Sequence, residues 1–485
     1  MKNIFISLML FALAFTSCQD WLDEKPKAVA AETFYNTTAE ADASVLASLG
    51  QLRSGFAMSF PGLMECFSDY SYGRGSWVTN SDYQGLNTQN ISRANGVWGS
   101  LYNSIRDCNI AISKIPEAAQ MTEEQKSSYI AEQKFIRGFC YFHLVRLWNN
   151  IPLRTDKNME EWDLGKTPAD DIYKFIISDL EFAVSNCPET ARLVGTPSRN
   201  AAKSLLAQVY LQLGQYQEAA TMSKSVIDSG KYSLITVSRP RDFEKIFGPD
   251  VIATSEEIFY LKSVRADSKG WEFVMFCSHP GAKIEGKKMH GAGGWYGIYT
   301  TTLNKIVSEW DVKDYRKDYN LLKYNFGMGD NTYLMAKFYD PDAPNSGGAG
   351  NSNPLIRYAD VLLLYAEATT MATGTPTSEA MEMLNRVHRR AYGYDPKTTS
   401  IVDFNLQDYA TKQLFLDLLV KERGYETMNE GKRWLELVRM GIAKKTIKEV
   451  KGIDIAEKHF LFPIPTTEFD YNKGLDPSTD QNPGY

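Results

Sequence analysis

Residues 200–228 read Asn200-Ala-Ala-Lys-Ser-Leu-Leu-Ala-Gln-Val-Tyr210-Leu-Gln-Leu-Gly-Gln-Tyr216-Gln-Glu-Ala-Ala220-Thr-Met-Ser-Lys-Ser-Val-Ile-Asp228, and this stretch decides the fold. Apolar and small residues recur at helical spacing on both sides of Leu213-Gly214-Gln215-Tyr216, which reads as a turn. Leu206, Ala207, Tyr210 and Ala219 fall where two antiparallel helices would meet. Small residues let the helices touch, and the Tyr fills the gap between turns. One such pair cannot bury its own apolar face, so the pattern requires helical neighbours.

Those neighbours are visible on either side. The stretch from Ile356 to Thr370 and that from Ser378 to Ala391 form a second pair, with Gly374-Thr375-Pro376 as the turn. Residues 100–115 and 126–148 read as amphipathic helices. The second is too apolar to face water widely, and Asn149-Asn150-Ile151-Pro152 ends it. The spacing at 200–228 is that of the tetratricopeptide helix pair, but long insertions rule out a regular array. The expected fold class is mainly α, a tetratricopeptide-type helix-pair scaffold with long irregular loops forming a ligand face. Phe60 to Asn95, Val237 to Gly297 and Gly327 to Pro354 are the irregular segments. Loops of this length in a compact domain are usually functional. Gly347-Gly348-Ala349-Gly350-Asn351-Ser352 is the most linker-like, and it reads equally well as a passive loop. The organisation follows: residues 1–17 a leader, 18–235 an N-terminal helical region, 236–354 a loop-rich insertion region, and 355–485 a C-terminal region.

The leader has Lys2 followed by an apolar run from Ile4 to Phe15, too short for the roughly 20 residues of a spanning helix. It closes on Thr16-Ser17-Cys18. Small residues before a Cys read as a bacterial lipoprotein cleavage site, with Cys18 lipidated. The competing reading is an ordinary secretory signal followed by a chance Cys. With no other apolar run of spanning length, the body would be a soluble domain held by lipid. The formal net charge of −6, with no long Lys/Arg run, argues against a nucleic-acid partner. Cys66, Cys108, Cys140, Cys187 and Cys277 are odd in number and lack metal-ligand spacing. They form neither a disulfide framework nor a zinc site, although one bridge, such as Cys66 with Cys108, stays open.

Motifs that look catalytic have plainer readings. Glu422, Glu426 and Glu430 recur every four residues beside Arg423, Lys432 and Arg433, which on a helix makes one acidic stripe. A glycosidase needs two carboxyls facing each other across roughly 5–9.5 Å. A stripe with interleaved cations instead makes ion pairs along and between helices. Arg357 and Asp360 read as a further pair locking neighbouring helices. His143, His279, His290, His388 and His459 show no ligand spacing, and no nucleophile elbow, phosphate loop or dinucleotide fingerprint is present. The chain reads as non-catalytic, without metal or cofactor.

The candidate ligand-binding residues are aromatic. With 27 Tyr and 9 Trp, the chain has rings to spare for gripping something amphipathic. An amphipathic ligand can offer apolar C–H faces ringed by hydroxyls. Flat rings suit the faces, while Asp, Asn and Arg suit hydroxyl pairs. Asp69, Tyr70, Tyr72, Arg74 and Trp77 crowd one stretch, with Gly73 and Gly75 between them. Trp295, Tyr296 and Tyr299 follow the Gly291–Gly294 turn, and Trp271 lies on the same insertion. Trp295 and Trp77 are the leading candidates for a stacking ring. The competing reading is that these rings anchor loops to the scaffold, as expected for Trp98, Trp148 and Trp434.

Five blocks in order carry a family resemblance. Cys18-Gln-Asp-Trp-Leu-Asp-Glu-Lys-Pro26, Ala131 to Leu153, and Ile356-Arg-Tyr-Ala-Asp-Val-Leu-Leu-Leu-Tyr-Ala-Glu-Ala368 are three of them. Lys421 to Trp434 followed by Leu437-Val-Arg-Met-Gly441, and Phe462-Pro-Ile-Pro465 through Gln481-Asn-Pro-Gly-Tyr485, complete the set. Together they resemble SusD/RagB outer-membrane lipoproteins. The resemblance implies a tetratricopeptide-containing body with a loop-built ligand face. It also implies a cell-surface position as a lid on a SusC-like TonB-dependent transporter, and capture of a glycan for delivery to it. Ligand contacts would come from comparable loops, with Gly293-Gly294-Trp295 the best match. Two alternatives stay open: a RagB-like protein that captures peptides, and a tetratricopeptide lipoprotein of envelope assembly.

Overall fold

The structure is a computed structural model and describes residues 34–485. Its body is a succession of helices, each packed on the next. These are α1 (Thr38–Phe56), α2 (Ser59–Phe67), α3 (Thr88–Lys114), α4 (Glu123–Trp148), α5 (Ala169–Asn186), α6 (Arg199–Gln212) and α7 (Tyr216–Ile227). After the short α8 (Phe273–Cys277) come α9 (Tyr358–Thr373), α10 (Ser378–Ala391), α11 (Lys412–Glu426), α12 (Arg433–Arg439) and α13 (Ala443–Lys451). Packing runs α1–α3–α4–α5–α6–α7, and α7 then meets α9, which holds α10 and α11. The helix pair expected at 200–228 is α6–α7. Gly214 supplies the positive φ of its turn, and Ala207 and Ala219 are fully buried between the helices. Gly374 ends α9 in the left-handed region, as the predicted turn requires. No described helix is long and apolar enough to cross a membrane.

Three expectations need correcting. Phe60 to Asn95 is not one irregular segment, because α2 occupies its start and α3 begins at Thr88. The α2 run Phe60-Pro61-Gly62-Leu63-Met64-Glu65-Cys66-Phe67 is buried throughout, and such a short run shows no helical period. The Glu422–Glu430 stripe is also not wholly helical. Helix α11 stops at Glu426, and Glu430 follows a turn in which Asn429 has a φ of 66°. Arg357 and Asp360, finally, do not pair side chain to side chain. Asp360 accepts the Arg357 backbone N–H at 2.7 Å and pairs with Lys432.

The carboxylates of that stripe are locked in a buried ion-pair network. Glu426 takes Arg357, Arg390 and Arg316; Glu430 takes Arg357, Lys337 and Lys432; Glu422 takes Arg316 and His388. Burial alone would raise these acids. The surrounding cations outweigh it and hold Glu422 and Glu430 at about 2. Acids held this low stay ionised and donate no proton near neutral pH. The C-terminal block joins the same body. The Trp148 indole donates to the Pro463 carbonyl at 2.9 Å, and the Asn482 amide donates to the carbonyls of Trp148 and Phe462. The five cysteines from 66 to 277 are buried and unbridged.

Strands are few, but they place the site. The strands are β1 (Tyr72–Gly73), β2 (Glu257–Leu261), β3 (Lys283–Ile284), β4 (Lys287–Lys288), β5 (Ile298–Thr301), β6 (Leu321–Lys323), β7 (Thr332–Met335) and β8 (Asn353–Arg357). Strand β2 pairs β8, and β3–β4 is a hairpin. The remaining four make an antiparallel sheet in the order β1-β5-β7-β6. Its register puts Tyr72 opposite Tyr299, Tyr299 opposite Leu334, and Leu334 opposite Leu322. These residues share one face, because directly opposed side chains point the same way. Ile298 and Met335, on the other face, enter the main core.

Candidate functional site

The face carrying Tyr72 and Tyr299 rests on a small second core of Ala282, Ile284, Met289, Leu334 and Ala336. Around it the chain sets a continuous run of half-buried rings. Tyr72 lies 5.6 Å from Tyr299, and Tyr299 lies 5.5 Å from Phe326. Phe326 lies 5.7 Å from Tyr296, Tyr296 lies 4.4 Å from His279, and His279 lies 4.8 Å from Tyr324. Such tilted and edge-on contacts hold rings in place while leaving part of each to solvent. Trp295 stands beside the run, 39% exposed and with no aromatic partner among the described residues.

The Trp295 loop is held by its backbone. Trp295, Tyr296 and Gly297 donate their N–H groups to the carbonyls of Met275, Ser278 and Phe276 at 3.0, 2.8 and 2.7 Å. This close approach needs glycine twice. A Cβ on Gly294 would lie 2.1 Å from the Ser278 carbonyl oxygen, and one on Gly297 would lie 1.9 Å from the Phe276 ring. Tyr296 itself has a φ of 39°, an uncommon value for a non-glycine residue. Arg74 completes the corner. Its guanidinium lies 3.4 Å from the Tyr296 ring centroid, and its Nε donates to the Tyr296 carbonyl at 3.2 Å. Burial and the Arg74 charge both lower the His279 pKa, so that imidazole is neutral near neutral pH.

The residues singled out in the sequence divide here. Tyr72, Arg74, Trp295, Tyr296 and Tyr299 come together on this surface. Asp69, Tyr70, Trp77 and Trp271 do not. The expectation that they stand exposed is corrected, since each is at most 5% exposed. Asp69 is paired with Arg433, and Tyr70 is sealed beside Glu65. Trp77 packs on Phe276 and under Arg93, and the Trp271 indole donates to the Phe56 carbonyl at 3.0 Å. They anchor loops to the scaffold. Trp98, Trp148 and Trp434 are buried, as expected. Cys18 lies outside the described residues.

The sequence reading missed Phe326, Tyr324 and His279. Leu322, Tyr324 and Phe326 alternate with polar residues, a period-two signal that runs off the end of β6. No comparable signal marks His279. Among the described residues, no group of three His, Cys, Asp or Glu could hold a metal ion.

The fold is one found in known proteins. Residues 288–485 match the SusD family, and residues 20–211 match a family described as starch-binding and associating with the outer membrane. The two matches do not overlap, and together they span most of the chain. A SusD-like protein of Formosa agariphila is 28% identical over 526 residues, covering 100% of both chains. The fold is also that of the surface glycan-binding protein A from Bacteroides fluxus, with a TM-score of 0.76 and 21% identity over 93% of this chain and 100% of that one. A laminarin-binding SusD-like protein superposes with a TM-score of 0.73 and 22% identity, covering 93% and 100%. The chain belongs to the SusD/RagB family.

Proposed function

We propose that this protein is a non-catalytic, cell-surface lipoprotein anchored through Cys18, which binds an oligo- or polysaccharide and delivers it to a SusC-like TonB-dependent transporter in the outer membrane. The observation that carries the reading is the half-buried ring run from Tyr72 to Tyr324, which begins on the sheet and continues along the loops beside it. Aromatic faces held at fixed spacing match the apolar faces of successive sugars, and the neighbouring polar groups match their hydroxyls. The glycan-binding name of the Bacteroides fluxus protein supports the same ligand class. The match to a family described as associating with the outer membrane supports delivery to a transporter there.

The test is a glycan array with the soluble form beginning after Cys18, followed by calorimetry on the strongest binder. Tyr296→Ala and Tyr299→Ala should each weaken binding at least tenfold. Binding to a peptide library, with none to glycans, would overturn the glycan reading and favour peptide capture. For the transporter, mild-detergent pull-down should recover a large barrel protein. Recovery of barrel-assembly components alone would support the envelope-assembly alternative.

A further inference from the structure

The ring run has cations beside it that make no ion pair among the described residues. Elsewhere in the chain, buried guanidiniums meet carboxylates: Arg137 with Asp179, Arg316 with Asp314, Arg390 with Glu256, Arg433 with Asp69. Arg74 meets none among the described residues. It spends one N–H on the Tyr296 carbonyl and stacks on that ring, so its remaining N–H groups are uncommitted. The β3–β4 hairpin packs through Ile284 and Met289 against the same small core that Tyr296, Tyr324 and Phe326 rest on. It carries Lys283, Lys287 and Lys288, all exposed. Lys323 is exposed on β6, and none of these four lysines makes an ion pair among the described residues. At the far end of the run, the Lys451 amine lies 5.2 Å from the Tyr72 ring centroid and donates to the Cys66 carbonyl. The nearby carboxylates without an ion pair among the described residues are fewer: Asp82, Glu285 and Asp330, since Asp69 is paired with Arg433 and Asp340 with Arg265. In a chain of net charge −6, this corner is locally positive.

We infer that the sugar chain taken by this ridge carries acid groups, a uronate carboxylate or a sulfate ester, and that Arg74 binds one of them. This rests on the glycan-binding reading above. A neutral sugar laid on the rings would strip water from the Arg74 edge and return only hydroxyl contacts. An acid oxygen pair would accept a planar, charge-assisted, two-point bond from the guanidinium. Stacking on Tyr296 holds that fork in place before the ligand arrives. The hairpin lysines add a field that draws a polyanion to this end of the ridge and weakens with salt.

The experiment uses the chain after Cys18 with an array of neutral, uronate-containing and sulfated oligosaccharides. The strongest binder is then retested after carboxyl reduction in one arm and desulfation in the other, which separates the two sources of charge. The expected result is an acidic strongest binder whose affinity falls at least tenfold in one arm. It should also fall at least tenfold in Arg74→Gln at an unchanged melting temperature, and fall less in Arg74→Lys. The ligand-modification arms use the unaltered protein, so they read out even where the variants fold poorly. A neutral strongest binder, lost in Tyr296→Ala but indifferent to Arg74→Gln and to salt, overturns the acid-group inference and leaves the glycan reading standing. No binder of any charge overturns both.

Discussion

Arg433 donates from Nε and Nη2 to the two carboxylate oxygens of Asp69 at 2.9 and 2.8 Å, joining positions 364 residues apart in the sequence. Both side chains are almost wholly buried. Burial would weaken the guanidinium, but the carboxylate beside it keeps the Arg433 pKa far above its usual value. The pair ties the segment leading into β1 to the start of α12, so the N-terminal edge of the sheet is fixed to the C-terminal helices. Removing one partner leaves the other charge buried and unpaired, which costs about 3–5 kcal/mol. Asp69→Ala should therefore lower the melting temperature steeply. Glycan affinity of the protein that remains folded should be nearly unchanged. Lost affinity at an unchanged melting temperature would return Asp69 to the ligand surface.

Two tryptophans that look alike in sequence should separate in the same pair of measurements. Trp77 is 5% exposed, its ring lies 4.6 Å from that of Phe276, and it leaves Gly62 no room for a Cβ. Trp77→Ala should cost about 3–5 kcal/mol of stability through the cavity it opens. Trp295 has no such neighbours, and Trp295→Ala should leave the unfolding transition in place. If Trp295 stacks on ligand, the same variant loses roughly thirtyfold in affinity, the scale of a 2 kcal/mol hot spot.

This contrast shows what the sequence makes legible. Helix pairs announce themselves because small residues at helical spacing have one use, and the α6–α7 pair appears where Leu206, Ala207, Tyr210 and Ala219 require it. Burial of a loop aromatic is not local information. Trp77 and Trp295 both follow glycines, but Trp77 meets a helix and Phe276, which lies 199 residues further along. The Glu422–Glu430 stripe was legible as ion pairing because acids alternate with cations, whereas its partners Arg316, Arg390 and Lys337 come from distant elements. The ring run itself is assembled from four separate stretches, around Tyr72, His279, Tyr296 and Tyr324. No window of the sequence contains it.

Glu65 gives a pH-dependent prediction. It is fully buried in α2, and burial raises its pKa to about 8 despite the N–H that Gly431 donates at 2.7 Å. Its other oxygen, Oε2, has no partner among the described residues. The folded protein therefore keeps this proton through an interval in which the unfolded chain, with an ordinary value of 4.5, has lost it. Unfolding releases a proton there, so this group makes stability fall as pH rises from about 4.5 towards 8 and not beyond. Glu65→Gln keeps an acceptor for Gly431 and removes the titration. Denaturant unfolding across this pH range should show the variant gaining on the wild type as pH rises. Parallel profiles would show that Glu65 does not carry the proton.

The Gly294–Gly297 corner tests whether the ridge depends on backbone placement as well as on its rings. A methyl group on Gly297 would collide with the edge of the Phe276 ring, 1.9 Å from its nearest carbon, so either that ring or the strand entering β5 must move. Overpacking of this kind costs about 1–3 kcal/mol. The displacement would also shift Tyr296 and with it the Arg74 guanidinium stacked on that ring. Gly297→Ala should thus lower the melting temperature moderately and weaken glycan binding at least tenfold, although residue 297 is itself buried beneath the ridge. Gly96→Ala is the control: it lies within α3 with nothing within 4 Å of the added Cβ. Helix propensity favours that change by up to about 1 kcal/mol, so stability should hold or rise while affinity stays as it was. Equal affinities for Gly297→Ala and the wild type would mean that the ring placement tolerates a displaced loop, and that the ligand reads Tyr72 and Tyr299 without Tyr296.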